Sequence, residues 1–307
     1  MRLALLTIAL GSGLILTSCS RTALDAWPSQ PGSSGGVGGK GGSGGKGGTS
    51  GKGGESGPVS QNCTDHASAQ NAITSQYGGT FVAVDGKAKQ YFMQANWWGI
   101  FAQQSETIDG LSFSVANPTG AESNSNAPMG YPSFFIGSYA GHATTGSNLP
   151  KAVSALTNVY TVLSTNASSM GYANYNAAYD VWLTSTGDPL PSYQYDPGMG
   201  GAYLMVWLFK PTDRQPRGFN AHPSHTVRGL AGTWDVWIDN SDPPCISYVS
   251  TKPMDTLDYD LNNFIQDSVT NSYGITSDMY LSIIFGGFEI WGGADGLQAR
   301  SFCANVL

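Results

Sequence analysis

The sequence predicts an all-β protein: two antiparallel sheets packed face to face as a β-sandwich of the jelly-roll kind, with one short helix. Three observations carry that expectation. Apolar and polar residues alternate with period two along most of the chain after Cys63, and the alternating runs are bounded by Gly, Pro, Asn and Asp. Helical spacing occurs over 256–269, where Leu257, Leu261, Phe264 and Ile265 recur three and four apart. Period two sends successive side chains to opposite faces of a strand, whereas spacings of three and four gather them on one face of a helix. Many short strands with one helix bury their apolar faces best as sheet on sheet.

In chain order, the first element is a leader. Arg2 precedes an apolar run over 3–16 that ends in Leu16-Thr17-Ser18-Cys19. The run is too short to span a bilayer stably and has the organisation of a signal peptide covering residues 1–18. A small residue before a cysteine at the end of such a run is what bacterial lipoprotein processing uses, so Cys19 is expected to carry a lipid anchor. The plainer alternative is a cysteine discarded with the leader. With Ser20 rather than Asp after it, the anchored protein is expected at the outer membrane or surface of a bacterium.

Residues 19–30 form the attachment segment. Over 31–58 the chain repeats Gly-Gly-Lys-Gly-Gly-Ser-like units with no large apolar residue, which cannot offset the entropy of ordering. A Gly-rich coil of this length spans roughly 30 Å. It reads as a tether, with Lys40, Lys46 and Lys52 as solvated charges or contacts to anionic lipid. No later stretch approaches the length of apolar residues that a membrane span needs.

Residues 60–307 follow without a second linker and are read as one domain. This part carries 9 Lys and Arg against 19 Asp and Glu, a net charge of −10, which argues against nucleic acid as a partner. It is poor in charge and rich in Trp, Tyr, Asn, Ser, Thr and Gly, a composition suited to stacking on and hydrogen-bonding neutral sugars. Cys63, Cys245 and Cys303 allow one disulfide and one free thiol in an oxidising compartment, and the pair at the two ends of the domain, Cys63 with Cys303, is favoured. No cofactor or metal site emerges: His222 and His225 flank Pro223, which opposes the helical spacing of a two-histidine zinc site, and they read as surface-loop residues.

Strands are expected over 91–100, 133–137, 176–183, 202–209, 232–238, 246–250 and 285–291, with a last one near 297–303. Alternation sorts their side chains. Leu204, Val206 and Leu208 form an aliphatic row for the core, while Tyr203, Met205 and Trp207 share the other face. That face is either a second core row or a cleft in which rings stack on sugar. Asp180 shares a face with Trp182, and Glu289 with Trp291. The chain has four glutamates: Glu55 in the linker, Glu106 and Glu122 in polar, loop-like stretches, and Glu289 in an apolar strand between Gly286-Gly287 and Gly292-Gly293. A carboxyl group in that last setting is expected to be desolvated and suited to general acid work, although a solvated strand residue is the plainer reading. For Asp180 the plainer reading is an acid that satisfies neighbouring donors.

Eight motifs in order resemble glycoside hydrolase family 12: Asn96-Trp97-Trp98-Gly99, Tyr131-Pro132-Ser133, Leu149-Pro150, Tyr179-Asp180-Val181-Trp182, Leu204-Met205-Val206-Trp207-Leu208, Thr233-Trp234-Asp235-Val236-Trp237, Ile246-Ser247-Tyr248-Val249 and Phe288-Glu289. The resemblance implies a concanavalin-like jelly roll whose concave sheet binds β-1,4-glucan or xyloglucan, acting as a monomer, and retaining hydrolysis by two glutamates. It gives Glu289 the role of general acid/base and Asp180 that of the aspartate bonded to the nucleophile. Asn96 and Trp98 take the non-reducing side of the sugar, and Met205 is the cleft methionine. Trp207 and Trp291 join them from the strand faces.

The pattern breaks at the nucleophile, where the family's Glu is replaced by Tyr203, which supplies no carboxylate. Four explanations follow. The domain has lost hydrolysis and binds glucan; Asp180 serves as base in an inverting reaction, which needs about 6.5–9.5 Å between carboxyl groups; Tyr203 attacks, although a neutral phenol is a poor nucleophile unassisted; or Asp196 or Asp235 supplies the missing acid. From a different class come a surface lectin or adhesion module and a structural envelope protein.

Overall fold

The computed structural model describes residues 63–99, 104–116 and 127–307. The leader, Cys19, the attachment segment, the glycine-rich tether, Glu55 and Glu122 lie outside the described residues. Two sheets form the sandwich. The smaller has the order β1 (Gln70–Ile73), β4 (Ser105–Asp109), β5 (Ser112–Ala116), β17 (Gln298–Val306), β9 (Val159–Thr165) and β15 (Thr256–Asp260). The larger runs β12 (Phe219–His225), β13 (Trp234–Asp239), β14 (Cys245–Ser250), β11 (Ala202–Trp207), β10 (Ala178–Thr184), β16 (Tyr280–Gly287), β6 (Ser133–Tyr139), β3 (Gln90–Gln94) and β2 (Gly79–Ala83). Two short strands, β7 (His142–Ala143) and β8 (Lys151–Ala152), pair with β6 and β16.

Pairing is antiparallel except between β11 and β14, which run parallel. The chain leaves β11, builds β12 and β13 at the sheet edge, and returns beside β11, so two strands serve as the crossover that a parallel pair requires. The core lies between the sheets. Leu204, Val206 and Leu208 enter it with Val181 and Leu183 of β10, Ile246 of β14 and Phe302 of β17. Gly286 permits that closeness, since a Cβ there would stand 2.3 Å from the Phe302 ring.

The eight expected strands all overlap observed ones, and their ends differ where the backbone turns. The strand expected to reach residue 100 stops at Gln94, because Asn96 takes a left-handed conformation (φ 50°). The helix expected over 256–269 is α1 (Asn262–Thr270), and Thr256–Asp260 is a strand instead. Asp260 makes the change: its Oδ1 accepts from Val159 N at 2.7 Å and from Asn262 N at 3.1 Å, closing the strand and opening the helix. Glu106 is in no loop; it lies in β4 and is fully buried. His222 and His225 belong to the irregular edge strand β12 rather than to a loop, and His225 Nε2 bonds the Asp267 carboxylate at 3.0 Å.

Cys63 and Cys303 form a disulfide with their Cα atoms 5.9 Å apart, as expected. The expected free thiol is not found: no described cysteine is free. Cys245, which starts β14 beside Tyr203, is buried.

Candidate active site

The larger sheet has a second apolar face, turned away from the core. Alternation places Ala178 and Trp182 of β10 there, with Tyr203, Met205 and Trp207 of β11, Phe285 of β16, and Phe135 and Tyr139 of β6. Trp291, beyond β16, joins the same cluster, and Trp98 and Trp237 pack against it part-buried. Ring contacts link Tyr139 to Trp182, Trp182 to Tyr203 and Trp207 to Trp291 at centroid distances of 5.3, 5.6 and 6.3 Å. Asn96 and Asp180 line one hollow on this face together with Tyr131 and Trp182. Asn96, Trp98, Asp180, Tyr203, Met205, Trp207 and Trp291 therefore share one face of the sheet.

Glu289 is placed by backbone first. After Gly287, Phe288 N donates to Pro132 O at 3.2 Å and Ile290 N to Gly130 O at 3.1 Å, so the chain continues along segment 130–132. Asn176 then clamps the acid: its Nδ2 donates to Glu289 Oε2 at 2.6 Å, its Oδ1 accepts from Glu289 N at 3.0 Å, and its N donates to Glu289 O at 2.9 Å. Glu289 is fully buried. Sequence reading passed over Asn176, whose one signal was an amide opening an otherwise apolar strand.

Asp180 lies in mid-strand, opposite Met205 and Phe285. Burial pushes its carboxyl well above the ordinary carboxylate range; the nearby Trp182 N–H pulls it partly back, and the charge of Glu289 pushes it further up. That N–H lies near Asp180 without reaching hydrogen-bond geometry, and both carboxyl oxygens lack a partner. The Tyr203 phenol is driven well above its usual range by burial, then by the charges of Asp180 and Asp196, with Arg217 opposing. Tyr203 is thus a neutral hydroxyl at physiological pH.

Of the other acids weighed for the missing role, Asp196 lies close enough for its charge to act on Tyr203, and Asp235 lies at the sheet edge. Asp196, in the loop before β11, accepts from Gly198 N at 2.8 Å, and Asp235 accepts from Ser224 N at 3.0 Å at the β12 edge. Among the described residues, no group of three or more His, Cys, Asp or Glu side chains is arranged to hold a metal ion.

A row of polar atoms on this face is buried without a hydrogen-bond partner: Asn96 Oδ1, both Asp180 oxygens, the Tyr139 hydroxyl, and the indole nitrogens of Trp182, Trp207 and Trp237. Leaving such a group unpaired costs about 1–3 kcal/mol. Donors and acceptors set among aromatic rings are what a chain of hydroxyl-bearing sugar rings would satisfy.

The sequence pattern of the family described as glycosyl hydrolase family 12 matches residues 89–307. The chain belongs to this family. Among relatives of this family 12 protein, a probable cellulase Cel12b of Mycobacterium tuberculosis is 29% identical over 162 residues, 52% of this chain and 99% of the relative. A probable xyloglucan-specific endo-beta-1,4-glucanase A of Aspergillus clavatus is 26% identical over 135 residues, 43% of this chain and 51% of that one. Of solved structures, the endoglucanase cel12A from Rhodothermus marinus is 27% identical, with 77% of this chain and 99% of that chain covered and a TM-score of 0.64. A metagenome-derived family 12 endoglucanase is 26% identical, with 78% and 99% covered and a TM-score of 0.66. The two-sheet sandwich described above is the family 12 jelly roll.

Proposed function

We propose that this family 12 protein acts on β-1,4-glucan of the cellulose or xyloglucan type as an endoglucanase-like hydrolase with an altered catalytic site. One observation carries the reading: two buried carboxyl groups, Asp180 and Glu289, lie on one ring-lined face, close enough for the charge of Glu289 to act on Asp180. The relatives' descriptions as a cellulase and a xyloglucan-specific glucanase give the substrate class.

In the reaction, Glu289 as general acid donates a proton to the glycosidic oxygen as the bond to the anomeric carbon breaks. Burial favours the protonated form of Asp180, so it acts as base only when ionised, a form that the hydroxyl donors of bound glucan would favour; it then takes a proton from a water that attacks that carbon from the opposite side, giving an inverted reducing end and a free hydroxyl on the leaving chain. Tyr203, a neutral hydroxyl, orients water or sugar and does not attack. Asn96, Trp98, Met205, Trp207 and Trp291 hold the sugar rings.

The test incubates purified protein with β-1,4-glucan, xyloglucan and mixed-linkage glucan, measuring new reducing ends beside a Glu289→Gln control and reading the first-formed anomer by NMR. Release that vanishes in the control, with inversion, is expected. Retention would sink the role of Asp180 as base. A second reading, a non-catalytic glucan-binding protein, is favoured by the neutral Tyr203 at the nucleophile position, and polymer retention without release would establish it.

The same proposal puts the domain on a membrane, through a lipid on Cys19 and the tether that follows. Intact mass of detergent-extracted protein should show the diacylglyceryl adduct on Cys19. A Cys19 recovered in a disulfide peptide, or a chain lacking it, would remove the anchor.

A further inference from the structure

The mechanism above makes no use of Glu106, a fully buried carboxyl on the sheet that does not carry the site. Its Oε1 accepts from Trp97 Nε1 at 2.5 Å, while its Oε2 is buried without a partner. Trp97, fully buried, stands between Asn96 and Trp98 in sequence, so the bond crosses from one sheet of the sandwich to the segment of the other that bears the sugar-binding residues.

Trp97 has little room to move. Its N donates to Gln76 O at 2.9 Å, and its ring lies on Gly130 so closely that a Cβ there would stand 2.4 Å from it. Gly130 bridges to both Trp97 and Ile290. Around it, Tyr131 N donates to Asn96 O at 2.9 Å, Trp98 N to Met129 O at 3.0 Å, and Met129 N to Ile290 O at 2.6 Å. Segments 96–98 and 288–291 therefore both pair with segment 129–131, whose Gly130 lies on the Trp97 ring, and segment 288–291 holds Glu289.

We propose that Glu106 is a positioning residue for the glucan site, fixing through Trp97 the junction at which the segment bearing Asn96 and Trp98 meets the segment bearing Glu289. The proposal rests on the glucan reading given above. Its chemistry is that of a buried acid with one satisfied oxygen. Protonated, the group is neutral and the junction stays dry; ionised, it binds the Trp97 N–H more strongly through Oε1 but leaves a charged Oε2 unpaired in the core, which entry of water into the junction relieves.

Burial lifts the carboxyl to about 7, against the pull of the Trp97 N–H and of its own backbone N–H. The residues paired with it are Ile73 of β1 and Val115 of β5, and neither strand carries an ionisable side chain. On the facing segment the ionisable residue is Tyr131, whose hydroxyl donates to Ala178 O at 2.9 Å. Glucan affinity is accordingly expected to fall as pH rises through 7.

The experiment measures the Kd and KM for cellohexaose, and kcat, over pH 5–9 for the full mature chain and its Glu106→Leu and Glu106→Gln variants. Glu106→Leu should weaken binding by about tenfold, and Glu106→Gln, which keeps the acceptor, should restore it at pH 6 and abolish the loss above pH 7. A folded Glu106→Leu protein with unaltered Kd, or a Glu106→Gln protein with the wild-type pH step, overturns the proposal. Should Glu106→Leu not fold, Trp97→Phe keeps a ring and removes the N–H; it must show the same loss, and unchanged binding overturns the proposal equally. A wild-type chain that binds no glucan at any pH removes the glucan reading instead. The positioning claim is then decided by the indole N–H signals of Trp97 and Trp98: both should titrate near pH 7 in wild type and in neither case with Glu106→Gln, and a stationary Trp98 overturns it.

Discussion

At the scale of single residues, Tyr203 and the buried Glu106 each make a separate prediction under the proposed reading. Tyr203 occupies the position where the family resemblance expects glutamate, one strand away from Asp180. Replacing it by glutamate, Tyr203→Glu, supplies the absent carboxylate and should raise reducing-end release by at least about tenfold, with the anomer switching from inverted to retained. A variant that folds and binds glucan yet stays inert would show that the site has departed from the family at more than one residue. Glu106 gives a stability test that needs no substrate. Its folded carboxyl lies at about 7 against 4.5 for an ordinary glutamate, so the folded chain keeps a proton that the unfolded chain has lost between those values. Stability from this group is present below about pH 4.5, is lost as pH rises to 7, and stays lost above. The shift corresponds to roughly 3 kcal/mol at 1.36 kcal/mol per unit. Glu106→Gln should therefore be more favourable relative to wild type at pH 8 than at pH 4.5 by that order, as read from urea midpoints. An equal difference at both pH values would mean that Glu106 is already ionised, or already neutral, throughout.

At the scale of elements, the site depends on how β16 ends. Its last residue, Gly287, lies against segment 132–133 so closely that a Cβ would stand 2.1 Å from Pro132 O, a backbone atom that cannot swing away. Gly287→Ala should displace the chain at Phe288 and Glu289, lowering kcat more than it changes KM and lowering the melting temperature together with it. A variant with wild-type kcat would show that Glu289 is held by Asn176 alone. Elements also show where sequence reading stopped. The alternation in 202–208 was legible because a central strand buried on both faces repeats its pattern on two neighbours. Strand β9 carries the same signal, with Val159, Thr161, Leu163 and Thr165 buried and the residues between them half-buried, but Thr161, Ser164 and Thr165 break its apolar run, and it is not among the strands expected from the sequence. Leu257 fits either period; pairing with β9 decided for strand, and a helix begins once Asp260 has ended it.

At the scale of the whole molecule, the Cys63–Cys303 disulfide closes a loop of 240 residues, joining the start of the described domain to β17 near its end. Chain-entropy arguments give such a closure about 5 kcal/mol as an upper figure. Asp65, two residues on, reinforces the join: it pairs with Lys87 and Lys89 and accepts from the Tyr91 hydroxyl, each at 2.6 Å. The paired change Cys63→Ser with Cys303→Ser should lower the melting temperature by several degrees while leaving the Kd for glucan unchanged, because Cys63 is bonded to Cys303 of β17, in the sheet opposite the ring-lined face. Altered affinity would instead tie the tether's attachment point to the cleft.

The sequence by itself determined the class of fold, the alternation that splits β10 and β11 into two faces, and the family, and it favoured the cysteine pair. Local period and motif order encode these, and both survive without knowledge of partners. Tertiary structure decided what depends on residues far apart in the chain. It made Glu106 a buried acid rather than a loop residue, because burial is conferred by the opposing sheet. It brought Asn176 onto Glu289 across 113 positions, and it left Asp180 without a hydrogen-bond partner beside a neutral Tyr203. The physical reason is common to all three: the ionisation and hydrogen bonding of a side chain are set by its surroundings in space, and in a sandwich those come from strands that the chain reaches much later.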